Sequence, residues 1–231
     1  MTTRLIFIIF VFISSSCSQK NQIRNAFESF NEGVKFSLKA DSCLIIGDFK
    51  NADKFFNKSN EYYLETLKLD STHNIVPGAL AQNYYLMGNF ENGKVWYSKA
   101  IVIDSTSAFL TKQLGLCEYY LCNFRVANKT IKKSLDLDQS LEFRKMVIQD
   151  ILDIGSQKFK QGLELENKDK NASRFFKETA MITLLSCYSI DSTNIQTINI
   201  LSDFADKLDN DRTFRIYKKR IKEIKTGGNI I

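Results

Sequence analysis

The chain has 231 residues, of which 10 are Gly and one is Pro, where average usage of about 7% and 5% would give roughly 28 of the two together. So few residues with positive or fixed φ exclude folds made of many tight turns, collagen-like repeats and Pro/Gly-rich disordered chains, while 44% apolar and 25% charged residues suit one or two packed domains of long helices. The 32 Lys and Arg against 26 Asp and Glu leave a net charge of +6, which permits an acidic partner or an anionic surface without requiring one.

Residues 1–17 read as a processing segment. Arg4 gives a short positive start, and residues 5–13 form a nine-residue apolar run, too short for a bilayer core that needs about 20 but suited to the apolar region of a leader. Ser14, Ser15 and Ser16 then bring small side chains directly before Cys17. The segment resembles a bacterial lipoprotein signal. That resemblance implies that Cys17 becomes the first mature residue and carries the lipid, palmitate among its acyl chains. No acidic residue occurs among Ser18, Gln19, Lys20, Asn21 and Gln22, which in such proteins implies the outer membrane, facing the periplasm; the Asn-, Lys-, Ile- and Phe-rich usage resembles that of Bacteroidetes. Residues 18–32 are expected to form a linker and the start of the first helix.

A self-comparison shows an aliphatic residue, Asp and a polar pair recurring as Leu69-Asp70-Ser71-Thr72, Ile103-Asp104-Ser105-Thr106, Leu137-Asp138-Gln139-Ser140 and Ile190-Asp191-Ser192-Thr193, the first three spaced by 34 residues. In chain order, the first unit carries Phe36, Ala40, Gly47-Asp48-Phe49, Ala52, Phe56 and Ser59, then about seven extra residues before Leu69, two more helical turns that keep the face in phase. In the next, apolar residues at three- and four-residue steps predict helices over 76–87 and 92–103 joined at Gly88-Asn89. Residues 108–141 repeat that register, with Gly115 in place of Ala81 and Cys122-Asn123-Phe124 in place of Gly88-Asn89-Phe90. Beyond Asp138 the step lengthens to 53 residues, which predicts helices over about 142–165 and 170–189 with a turn around 167–170, then a last pair over about 194–207 and 211–225 and a tail at 227–231. A two-helix unit cannot hide both of its apolar stripes alone, so stability requires neighbours stacked in line.

With Ala81, Tyr84, Gly88-Asn89-Phe90, Tyr97 and Ala100 at their spacings, the unit resembles the tetratricopeptide repeat (TPR), a helix-turn-helix repeat. The resemblance covers 33–141 and extends in degenerate form over 142–226. It implies an all-α, TPR-like solenoid, a right-handed superhelix of about five helix pairs whose first helices line a concave groove. By that analogy the groove positions are Gln82, Tyr85, Leu86, Lys112, Leu116, Tyr119 and Tyr120, where tyrosines would grip a protein or peptide ligand at small entropic cost. The same side chains could equally pack against the neighbouring unit. A clamp for a terminal carboxylate, as in chaperone-binding TPR domains, is not expected, since Gly78, Gln82 and Leu116 stand where its partners would be.

Arg212, Arg215, Lys218, Lys219 and Lys222 give the last helix a basic surface, and the interspersed Phe214, Ile216, Tyr217, Ile221 and Ile224 give it an apolar side. This suits a capping helix that is docked on one face and solvated on the other, or contact with an anionic surface. Cys43, Cys117, Cys122 and Cys187 form no zinc spacing and read as small packing residues. The Asp-Ser-Thr triplets match turn and cap chemistry and also resemble an O-glycosylation sequence of Bacteroidetes exported proteins. His73 is the only histidine, and no GxSxG, HExxH, Walker or GxGxxG pattern occurs. These features point to no enzyme, no cofactor, no metal and no nucleic acid. They point to a membrane-anchored scaffold for another protein, with an accessory subunit of an outer-membrane assembly machine and a cryptic envelope enzyme as alternatives.

Overall fold

The computed structural model describes residues 2–208 and 215–226, with side chains for 23–208, 215, 219, 221–224 and 226. Among the described residues there are ten helices and no strand: α1 (Thr2–Ile45), α2 (Phe49–Leu69), α3 (Val76–Leu86), α4 (Phe90–Ile103), α5 (Ala108–Tyr120), α6 (Phe124–Leu137), α7 (Leu141–Glu164), α8 (Lys170–Ile190), α9 (Ile195–Lys207) and α10 (Arg215–Lys225). The protein is all-α. The backbone of α1 crosses both ranges set out above as leader and linker; the side chain of Cys17 lies outside the described residues.

Three turns within helix pairs share one construction. Gly47, Gly88 and Cys122 take φ of 76°, 70° and 61°, and each donates its N–H to a carbonyl three residues back, to Leu44, Tyr85 and Tyr119. The next residue, Asp48, Asn89 or Asn123, donates to a carbonyl five residues back, on Cys43, Tyr84 or Glu118. This left-handed cap consumes the free carbonyls of the ending helix. The same residue then starts the following helix: the Asp48 carboxylate accepts from Asn51 N–H at 3.2 Å and the Asn89 side-chain oxygen from Asn92 N–H at 3.3 Å. The Asn123 amide instead donates to Glu118 at 2.7 Å.

Connections between pairs follow a second pattern. Asp70, Asp104, Asp138 and Asp191 each end a helix in extended backbone, with φ between −125° and −146°. The carboxylates of Asp70, Asp138 and Asp191 accept from N–H groups two residues on, those of Thr72, Ser140 and Thr193. Ser107, Ser140 and Asn194 then cap the next helix by accepting from Leu110, Phe143 and Thr197. The recurring Asp-Ser-Thr triplet is this helix exit.

The chain divides into two compact units, residues 1–105 and 106–231. In the first, Ala40, Ala52 and Phe56 are fully buried, as are Val76 and Leu80 beside Tyr63. Gly33 lets α2 come close: a Cβ there would stand 2.6 Å from the Tyr63 ring. The buried Asn83 amide donates to Ser59 Oγ at 2.9 Å and Asn60 Oδ1 at 2.8 Å, and its oxygen accepts from Ser37 at 3.0 Å, tying α3 to α1 and α2. In the second unit, Leu116, Tyr119, Ile131, Ile151, Leu152, Phe159, Met181 and Leu184 form the interior. Cβ atoms at Gly115, Gly155 and Gly162 would stand within 2.8 Å of Ile131, Leu184 and Lys177, so glycine sets the approach of α5 to α6 and of α7 to α8. Phe159 stacks on Phe204 at 3.9 Å between centroids, and Ile221 and Ile224 of α10 are buried.

Candidate functional site

The residues expected to line a groove meet different environments. In the first unit, Gln82, Tyr85 and Leu86 are half-buried. Gln82 accepts the Tyr97 hydroxyl at 2.8 Å, Tyr85 meets Phe90 edge-on at 5.6 Å, and Leu86 packs on the Ala40, Ala52 and Phe56 cluster.

In the second unit the expectation needs correction at three positions. Leu116 and Tyr119 are buried in the core, and the Tyr119 hydroxyl donates to Asn128. Burial raises that phenol well above its ordinary range. Lys112 is also buried, donating to Asp150 at 2.5 Å with Met146 Sδ at 3.2 Å and the Phe109 ring 5.2 Å away. The cause is that α5 packs against both α6 and α7, which covers these three positions. Tyr120 alone of this set is half-exposed, with its hydroxyl 3.4 Å from Gln157.

An open cleft of about 590 Å³ lies instead between second helices of the second unit. Ile131 and Leu135 of α6, Ile190 of α8 and the ring of the buried Tyr119 contribute its apolar lining. Lys132, Asp136 and Arg144 bring charge to it, and Asn128, Gln139 and Ser189 bring neutral polar groups. The volume falls within the roughly 300–1,000 Å³ of ligand pockets. Hydrogen bonds from Thr193 hold the Asp191 carboxyl, next to Ile190, below the usual range, with a smaller contribution from Arg144. An apolar lining with two cations and one anion beside it can hold an aliphatic or aromatic side chain and orient the backbone that carries it.

On α10, Arg215, Lys219 and Lys222 are exposed, while Arg212 and the side chain of Lys218 lie outside the described residues. Cys117 and Cys187 are buried, Cys43 and Cys122 are half-buried, and all four are free thiols. Burial pushes the Cys187 thiol up to about 11. His73 packs on Phe30, 4.7 Å between rings. Among the described residues no His, Cys, Asp and Glu side chains group as metal ligands, and no helix is long and apolar enough to cross a membrane.

The cleft was not legible in the sequence. Asn128, Lys132 and Asp136 follow one another at four-residue steps, the pattern of any solvated helix face, and Ser189 and Ile190 reach them from far along the chain.

No family model matches the chain, and no curated protein matches it. A solved structure from Bacteroides ovatus, provisionally described as a protein binding protein, is similar over 85% of this chain and 100% of that chain, at 12% identity and a TM-score of 0.37. At that score the likeness carries no argument about this chain.

Proposed function

We propose that this chain is a TPR-type lipoprotein of the cell envelope that binds another protein or peptide and performs no chemistry of its own. Lipid at Cys17 anchors it to the membrane, facing the periplasm, and the α6/α8 cleft takes a side chain and flanking backbone from its partner. The observation that carries the binding reading is the cleft itself, whose lining mixes apolar side chains with charged and polar ones and whose volume lies within that of ligand pockets. The 34-residue register and the turn shared by Gly47, Gly88 and Cys122 support membership of the repeat class.

Crosslinking in cells followed by mass spectrometry tests the binding reading. Lys132→Glu and Arg144→Glu, both at exposed positions, should remove partners captured by the wild-type chain while leaving its far-UV circular dichroism unchanged. An unchanged captured set would sink the cleft assignment. The anchor is tested separately with Cys17→Ser, which should abolish incorporation of labelled palmitate.

A further inference from the structure

We propose that Cys122 and Lys158 form a covalent modification site, which hydrogen peroxide closes as a sulfur–nitrogen bond between the α5/α6 turn and α7. Three observations meet there. Lys158 is 5% exposed, and its Nζ donates to Cys122 Sγ at 3.1 Å and to the Tyr120 carbonyl at 3.3 Å. The other buried lysines, Lys112 and Lys177, each reach a carboxylate, Asp150 at 2.5 Å and Glu166 at 2.8 Å; Lys158 has none among the described residues. A buried amine facing sulfur rather than an anion is poorly compensated, and bonding it to that sulfur removes its charge.

The third observation is the backbone of Cys122. Its φ of 61° is the left-handed conformation that the equivalent turns give to Gly47 and Gly88. A side chain there stores strain that glycine would avoid, and the residue is only partly buried while Cys117 and Cys187 are buried. The partly exposed turn gives peroxide a route to Cys122, with Nζ already hydrogen-bonded to its sulfur at 3.1 Å.

The chemistry balances with one oxidant. Sulfur attacks hydrogen peroxide, the O–O bond breaks, one oxygen remains as the sulfenic acid and the other leaves as water. Nζ gives its ammonium proton to solvent and its lone pair attacks sulfur, the S–O bond breaks, and the departing hydroxide takes a second proton from nitrogen and leaves as a second water. Thiol, ammonium and peroxide become a sulfenamide, two waters and one released proton, with sulfur oxidised by two electrons and peroxide reduced by two.

The test is peroxide treatment of the reduced full-length chain, then digestion and mass spectrometry. The expected product is a Cys122–Lys158 peptide pair about 2 Da lighter than its two parts, separated again by dithiothreitol. Lys158→Arg should lose the link and leave a sulfenic acid at Cys122 that dimedone traps. Cys122→Gly, suited to the local φ, should lose both and keep the wild-type circular dichroism. Cys122 recovered unmodified, or only as sulfenic acid, sulfinic acid or a disulfide in the wild-type chain, overturns the proposal. Should Lys158→Arg not fold, fragmentation of the wild-type product decides alone: a link from Cys122 to any atom but Lys158 Nζ is equally fatal.

Discussion

Single side chains at the helix exits do two jobs, and the acid behaviour of the protein follows from them. The hydroxyl and N–H of Thr72 hold the Asp70 carboxyl below its ordinary value of 3.8, the N–H of Ser140 does so chiefly for Asp138, and Thr193 repeats the Thr72 arrangement at Asp191. Since these folded values are lowered, each contribution to stability is complete above about pH 4, the unfolded range. It is lost as pH falls through the folded values. The combined Asp70→Asn, Asp138→Asn and Asp191→Asn chain keeps an accepting oxygen at each exit but cannot titrate, so its melting temperature should fall less between pH 5 and about pH 2 than that of the wild type. Parallel acid limbs in the two melting series would show that the exits are not responsible. The same exits leave Ser71, Thr72, Ser192 and Thr193 exposed, as a turn in solvent should.

Pairs of helices are matched by shape across glycine contacts. A Cβ at Gly115 would meet Ile131 Cδ1 and Cγ1 at 2.8 Å, so Gly115→Ala should cost roughly 1–3 kcal/mol of unfolding free energy in urea. Ile131→Val removes Cδ1 and on its own should cost about 1 kcal/mol. Combined, the two should cost less than their sum, because the space one vacates receives the methyl of the other; strict additivity would mean that α5 and α6 adjust elsewhere. This level of structure was largely legible beforehand. The 34-residue period predicted helices at 76–87 and 92–103 where α3 and α4 run, and even the lengthened step after Asp138 predicted α7 and α8 to within a residue at most ends. Burial was harder, because periodicity names an apolar stripe without saying how many neighbours it has. Tyr119 and Leu116 look like groove residues if α5 is covered on one side, and are core because it is covered on two. Lys112, too, reads as a groove residue until Asp150, 38 residues away, comes to meet it.

For the whole chain, the division at Ser105–Thr106 separates two bodies that each own a core. Residues 106–231 expressed alone should therefore keep their helical circular dichroism and melt cooperatively; a gradual, non-cooperative loss of signal would mean that this unit depends on the first. Length is a further property of the whole chain, and the turn residues constrain it. Asp48, Asn89 and Asn123 each close one helix and open the next, leaving no slack in the connection. An insertion there would break the shared cap and loop into solvent, whereas one inside a helix rotates everything beyond it by about 100° per residue. Additions close to a whole number of turns, such as about seven or eleven residues, return the buried stripe to its neighbour. Four of the second helices differ by seven, α2 and α8 with 21 residues and α4 and α6 with 14, while α10 has 11. Helices of such a chain should therefore change length by whole turns, so single-residue insertions inside them should be far rarer among its descendants than substitutions at the same places.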